Sequence, residues 1–150
     1  MSTELRQLYQ EVLIDHAKRP RNFHEIAGAK SVDGYNPLCG DRIRLYVSAD
    51  GGKIKALAFT GSGCAISTAS ASMMTEALVG KTTAEAEATA DRFQKLVTAP
   101  MDAPADDSLL GKLVIFAGVR EFPVRVKCAT LAWHTLRSAL HGDAAVVSTE

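Results

Sequence analysis

Arg42-Ile43-Arg44-Leu45-Tyr46-Val47, the turn Asp50-Gly51-Gly52, and the run from Lys53 to Thr60 together decide the fold. Ile43, Leu45 and Val47 alternate with Arg42, Arg44 and Tyr46, the period-two pattern of a strand with one buried face. Asp-Gly-Gly between two such runs is a strong turn signal, so Lys53 to Thr60 reads as the returning strand of a hairpin. A third strand is expected through Ala29 to Tyr35, giving a small antiparallel sheet.

Helices flank this sheet. Leu5, Leu8, Tyr9, Val12 and Leu13 recur at helical spacing, so Ser2 to about Lys18 reads as an amphipathic helix ended by Pro20. Ala65 to Leu78 is rich in Ala, Ser and Met, a helix small enough in side chain to pack closely, with Met73 and Met74 as core and Gly80 as its stop. Thr82-Thr83-Ala84-Glu85 is a capping box that opens a helix to about Val97, with Ala86, Ala90, Phe93 and Val97 facing inward. Residues 98–107 read as a loop. Ser108 to Ala117 reads as a short helix on Leu109, Leu110, Leu113 and Phe116. Pro123 is expected to mark an extended approach to a last helix, about Arg125 to His141, stopped by Gly142. Trp133, Leu136 and Leu140 are spaced for core packing, and residues 143–150 read as a flexible tail.

At 150 residues, 47% hydrophobic and 23% charged, the chain suits one domain with a real core over 1–150. Seventeen basic and seventeen acidic residues cancel, so nothing steers the whole chain toward nucleic acid or an anionic membrane. Two local biases stand out: the basic run Lys18, Arg19 and Arg21, and six acidic against two basic residues from Glu85 to Asp107. Both read first as solvated surface. The start, Met1-Ser2-Thr3-Glu4-Leu5-Arg6, is polar where a signal peptide would be apolar, and the longest apolar run, Leu113 to Val119, is far too short to span a membrane. A cytoplasmic protein is expected, where spaced cysteines read as metal-binding or reactive sooner than as disulfides.

Three cysteines occupy three contexts: Asn36-Pro37-Leu38-Cys39-Gly40-Asp41, Gly61-Ser62-Gly63-Cys64-Ala65-Ile66-Ser67, and Arg125-Val126-Lys127-Cys128-Ala129. Free cysteine is commonly an ordinary core residue, yet the first two sit in glycine and proline loops unlike core sequence. Gly40 lets Cys39 and Asp41 face one centre, and Gly61 and Gly63 do so for Cys64. Cys39, Cys64, Cys128 and Asp41 form a four-donor set suited to tetrahedral zinc or to iron in a cluster. Two unit charges about 4 Å apart repel by ~4 kcal/mol at an effective dielectric near 20. Three converging thiolates therefore stay protonated without a cation. Arg125 and Lys127 are placed to offset the negative excess. The oxygen donor exchanges more readily than sulfur, so the set is expected to free one thiolate for chemistry. His16, His24, His134 and His141 read as structural. No phosphate loop, Ser-His-Asp arrangement or basic-aromatic interleaving is found.

At these residues the chain resembles the IscU/NifU N-terminal family of iron–sulfur assembly proteins, and within it the SufU branch. The matching stretches are Leu8 to His16, Asn36 to Asp41, Gly61 to Ser67 and Phe122 to Trp133. Lys127 stands where the IscU branch carries His, and Glu121-Phe122-Pro123-Val124-Arg125 stands where that branch carries Leu-Pro-Pro-Val-Lys. The resemblance implies an α+β fold with a three-stranded antiparallel sheet packed with helices, and zinc held by Cys39, Asp41, Cys64 and Cys128. It implies acceptance of persulfide sulfur by Cys39 from a pyridoxal-phosphate cysteine desulfurase of the SufS kind, with Arg125 supporting the released thiolate or the partner contact. A SufBCD-type scaffold would lie downstream. The alternative it leaves open is a scaffold that assembles a [2Fe–2S] cluster on the same residues.

Overall fold

A computed structural model describes residues 3–105, 108–142 and 147–148. The chain runs α1 (Thr3–Lys18), β1 (Lys30–Asn36), β2 (Asp41–Asp50), β3 (Lys53–Ser62), α2 (Ala65–Leu78) and α3 (Thr83–Thr98). A 3-10 helix (Gly111–Glu121), α4 (Pro123–Leu140) and the two-residue β4 (Val147–Ser148) follow. Sheet order is β3-β2-β1-β4. β2 pairs antiparallel with both β1 and β3, with a bulge at Ser48/Ala49.

The hairpin alternation holds: Ile43, Leu45 and Val47 are buried while Arg42 and Arg44 face solvent. Tyr46 departs from it, being buried on the opposite face beside Ala58 of β3. The three-stranded antiparallel sheet is as expected, and the tail adds to it. Val147 and Ser148 pair in parallel with Gly34 and Tyr35, because β1 is otherwise an open edge whose backbone groups lack partners. The rest of 143–150 lies outside the described residues, as does Ser2 of the expected first helix.

On the core face, α4 lies across β1 and β2, α2 packs on α4 and β3, and α1 packs on α2. Met73 and Met74 are buried in α2, and Ala86, Ala90, Phe93 and Val97 face inward from α3. Phe93 stacks on Trp133 at a centroid distance of 4.6 Å and meets the edge of Phe116 at 5.5 Å. The α3 capping box forms as expected, Thr82 and Glu85 bonding reciprocally.

Three expectations change. Ser108–Ala117 was expected as a short helix; the segment is a 3-10 helix displaced to Gly111–Glu121. Pro123 does not lead extended chain into α4 but opens the helix, since a first-turn position needs no N–H and welcomes a fixed φ. Leu8, expected on the inner face of α1, is 53% exposed, whereas Tyr9, Val12 and Leu13 pack on the core. Parts of both charge biases pair locally, while Asp106 and Asp107 lie outside the described residues. Arg19 and Arg21 both clamp Asp15, at 3.1 and 2.6 Å. Glu87 and Asp91 of α3 pair with His141 and Arg137 at the end of α4. No described helix is long and apolar enough to cross a membrane.

Burial holds the His16 and His134 imidazoles below their ordinary pKa of 6.5. His16 is sealed between α1 and α2, its Nδ1 2.7 Å from Ser72 Oγ. The unfolded chain therefore takes up protons at a higher pH than the folded one, and stability falls as pH drops from 6.5 toward the folded values. Between neutral pH and the ordinary thiol range Tm of the metal-free chain is expected to hold steady, and below 6.5 to decline. His134→Gln should flatten that decline; an unaltered slope in the variant would remove His134 from the account.

Candidate metal centre

Three junctions aim the donors. Asn36 ends β1 fully buried, and its Oδ1 accepts the Leu38 N–H at 3.2 Å. The Gly40 N–H donates to the Asn36 carbonyl at 2.9 Å, with Gly40 at φ +71°, a conformation that suits only glycine comfortably. This tight turn leaves Cys39 half-buried at its tip and Asp41, the first residue of β2, entirely buried. Cys64 caps α2, its Sγ accepting from the Ser67 N–H at 3.4 Å. The Cys64 N–H donates to Asp41 Oδ1 at 2.8 Å. Gly63 is needed for that bond, since a Cβ there would sit 2.7 Å from the same oxygen. Cys128 lies buried on α4, three residues after Arg125 and on the same face.

The donor atoms of Cys39, Asp41 and Cys128 all fall within 4.8 Å of one another. Cys39 and Cys128 Sγ are 3.1 Å apart. Cys64 stands at the edge of this group, its Sγ 3.8 Å from Asp41 Oδ2. So the four expected ligands gather at one place, three in a tight cluster and the fourth flanking it. The Arg125 guanidinium reaches 3.9 Å from Cys39 Sγ and 4.0 Å from Cys128 Sγ. Among the described residues no contact brings Lys127 to the sulfurs, so of the two expected cations only Arg125 serves the cluster.

One residue was missed. Asn36 Nδ2 points at both Asp41 Oδ2 and Cys128 Sγ, at 3.5 Å each. Its signal was available: an Asn before Pro at a turn start supplies the side-chain acceptor of an Asx turn, which fixes its own orientation.

The electrostatics ask for a cation. Burial, followed by the contacts with Cys39 and Asp41, pushes the Cys128 thiol well above its ordinary range. Arg125 is held above its usual value by its bond to Cys128 and by the charges of the cysteine cluster. Asp41 is a buried carboxylate whose Oδ1 accepts a short bond, while the rest of the group meets long approaches to Oδ2 from Asn36 and Cys64 and a contact with the Cys128 thiol. A buried oxygen left so poorly paired is costly, and three soft sulfurs beside it are the donors zinc or iron takes. The residues present therefore fit a thiophilic divalent ion.

A profile described as NifU-like N terminal domain matches residues 8–139. The chain belongs to that family. It is 46% identical over 142 residues to an iron–sulfur cluster assembly scaffold protein IscU of Streptococcus pyogenes serotype M1, covering 95% of this chain and 88% of the relative. It is 41% identical over 140 residues to the zinc-dependent sulfurtransferase SufU of Bacillus subtilis, covering 93% of each. The crystal structure of a putative iron–sulfur cluster assembly scaffold protein for the SUF system from Fervidobacterium islandicum AW-1 superposes with a TM-score of 0.81 at 36% identity. That match covers 93% of this chain and 99% of the other. The fold class expected from the sequence is thereby shown, and the IscU/SufU family of iron–sulfur cluster assembly proteins is the one it joins.

Proposed function

We propose that this chain is a zinc-dependent acceptor that takes sulfur from a cysteine desulfurase during iron–sulfur cluster biogenesis in the cytoplasm. The observation that carries the reading is a half-exposed cysteine, Cys39, packed against buried Cys128 and Asp41. Cys39, Asp41, Cys64 and Cys128 would hold the ion, and Zn²⁺ when bound would keep the thiolates deprotonated at neutral pH. The Bacillus subtilis relative, whose name describes zinc-dependent sulfur transfer, supports the assignment. Lys127 in place of the IscU-branch His supports it too.

Each residue has a task. The turn at Gly40 presents Cys39 outward while Cys128 stays buried, so only one sulfur of the close pair is open to a partner. The Cys39 thiolate attacks the outer sulfur of a persulfide on the desulfurase cysteine. A new S–S bond forms to Cys39, the old one breaks, and the donor cysteine departs as a thiolate. Arg125, still protonated, lies near enough to balance the charge on Cys39. Leu38 next to Cys39, and Phe122 and Val124 ahead of Arg125, are all more than half exposed. They rim the site with apolar surface of the kind protein partners cover. A cleft of about 890 Å³, bordered by Tyr9, Leu13, Ile66, Phe122 and Arg125, opens beside them.

The test is to supply a SufS-like desulfurase with cysteine and map persulfide by mass spectrometry. Sulfur is expected on Cys39, and Cys39→Ala should abolish acceptance; label on Cys64 or Cys128 in the wild type would refute the acceptor role. A scaffold that builds a [2Fe–2S] cluster is the second reading, favoured by the Streptococcus pyogenes relative, an iron–sulfur cluster assembly scaffold protein by name. Anaerobic purification with metal analysis separates the two: one zinc per chain supports the acceptor, while iron with acid-labile sulfide supports the scaffold.

A further inference from the structure

We infer that Cys128 is a resolving nucleophile, which discharges sulfur from Cys39 as sulfide and leaves a Cys39–Cys128 disulfide when the site holds no metal. The inference rests on the acceptor role proposed for Cys39. It goes further by giving the accepted sulfur a second exit, and by giving Cys128 a chemical part.

The geometry is selective. Of the three cysteines only Cys39 and Cys128 bring their sulfurs into direct approach, at 3.1 Å. Cys64 instead turns its sulfur to the Ser67 N–H of its own helix and to Asp41. The pair is also asymmetric in exposure. Cys128 is fully buried, while Cys39 is half-buried at a turn tip. Cys128 therefore meets Cys39 from the interior side, and a second sulfur carried on Cys39 has room only toward solvent. Thiol–disulfide exchange is nucleophilic attack on sulfur, favoured with the attacking and leaving sulfurs on opposite sides of the central one. Buried attacker, central Cys39 Sγ and outward leaving sulfur meet that demand.

The step balances without an external oxidant. Cys128 Sγ bonds to Cys39 Sγ, and the bond from Cys39 Sγ to the outer sulfur breaks. The Cys128 proton passes to the neighbouring Asp41 carboxylate on the buried side, while the outer sulfur, carrying the persulfide's own proton, takes the bonding pair and leaves as HS⁻. The two cysteines are oxidised by two electrons together, and the transferred sulfur is reduced by two. Arg125, within 4.0 Å of both cysteine sulfurs, offers the departing anion a positive charge. An ion bound by Cys128 occupies the same sulfur and blocks the attack. Metal loading thus decides whether sulfur remains as a persulfide for hand-on or departs as sulfide, and a thiol reductant resets the pair.

The experiment loads the full-length chain with Zn²⁺, charges it anaerobically with radiolabelled cysteine and the desulfurase, and desalts it. One half is then stripped of metal with a chelator, and both halves are incubated without reductant. Released sulfide and non-reduced peptides are then followed. The metal-free chain is expected to release one sulfide per Cys39–Cys128 disulfide formed, and the zinc-loaded chain to retain its label. Cys128→Ser should keep the label on Cys39 with sulfide release lost. Label that persists on Cys39 in the metal-free wild type, or that moves to Cys128, overturns this inference and leaves the acceptor role standing. Label that never reaches Cys39 in any chain overturns both. An arm that needs neither desulfurase nor variant oxidises the metal-free wild type with diamide. It should join Cys39 to Cys128 and leave Cys64 open to alkylation; a bridge to Cys64 refutes the pairing.

Discussion

In the proposed four-donor site, Asp41→Ala is expected to bind zinc at least about 100-fold more weakly than the wild type, since a lost ligand costs more than the roughly 10–100-fold of a residue that only supports one, and to be less stable even without metal. The two effects have separate origins on one side chain. Oδ1 accepts the Cys64 N–H at 2.8 Å, tying the start of α2 to the start of β2. Removing it leaves that backbone donor without its partner, at a cost of about 1–3 kcal/mol where water cannot replace it. Oδ2 meets long approaches from Asn36 and Cys64, and it is the oxygen placed to meet an ion beside the Cys39 and Cys128 sulfurs. Asp41→Asn divides the two roles, because its amide oxygen can still accept from Cys64 while the negative charge is gone. The Asn variant should melt near the wild type when metal-free and still bind zinc weakly. Chelator competition and thermal denaturation read the two quantities. An Ala variant that retains zinc as tightly as wild type removes Asp41 from the ligand set.

Much of this arrangement was legible from local patterns, and the reasons differ by element. The β2–β3 hairpin was readable because Ile43, Leu45 and Val47 obey a period of two beside an Asp-Gly-Gly turn, both properties of neighbouring residues. The α3 start was readable for a similar reason, a capping box being complete within four residues. The donors were found because loop glycines around cysteine and aspartate are costly unless something converges there. What escaped the sequence depends on distant contacts. The burial of Tyr46 follows from Ala58 across the ladder and from the opposite face of the sheet. The 3-10 geometry of Gly111–Glu121 follows from packing against α3, which helical periodicity cannot distinguish from an α-helix over so few turns. The pairing of Val147 and Ser148 depends on which sheet edge is left open. That Cys39 and Cys128 approach more closely than either approaches Cys64 depends on how deeply α4 settles onto β1, and no spacing in the chain records it.

That depth is set at Gly34, and Gly34→Val is expected to destabilise the chain by more than about 3 kcal/mol while also emptying the metal centre. Gly34 lies in the middle of β1 opposite Ile43, on the face that α4 covers. A Cβ there would overlap Thr135 Oγ1 and would press within 3.0 Å of an Ile43 methyl and 3.2 Å of a Leu131 methyl. Thr135 and Leu131 both belong to α4, so the helix must lift or tilt to admit the added carbons. Close packing leaves no slack to absorb them. The same helix carries Cys128, whose sulfur meets Cys39 at the far end of β1, so lifting α4 pulls the pair apart. A loss of this size lowers Tm by roughly 10 °C for a chain of this length, and zinc stoichiometry should fall with it. Gly28→Ala provides the contrast. Gly28 has φ +77° with open space around its Cβ position, so it should lose only about 1–2 kcal/mol from backbone strain and keep its zinc. Gly34→Ala with Thr135→Ala tests the cause directly. Among the described residues Thr135 Oγ1 bonds only within its own helix, to the Leu131 carbonyl at 2.8 Å, so removing it strands no remote partner there and vacates the space the new methyl needs. The double variant should recover most of the stability lost in Gly34→Ala alone, with a coupling well above the few tenths of a kcal/mol expected of independent sites. Simple additivity would mean that the contact at Thr135 does not set the height of α4 above the sheet.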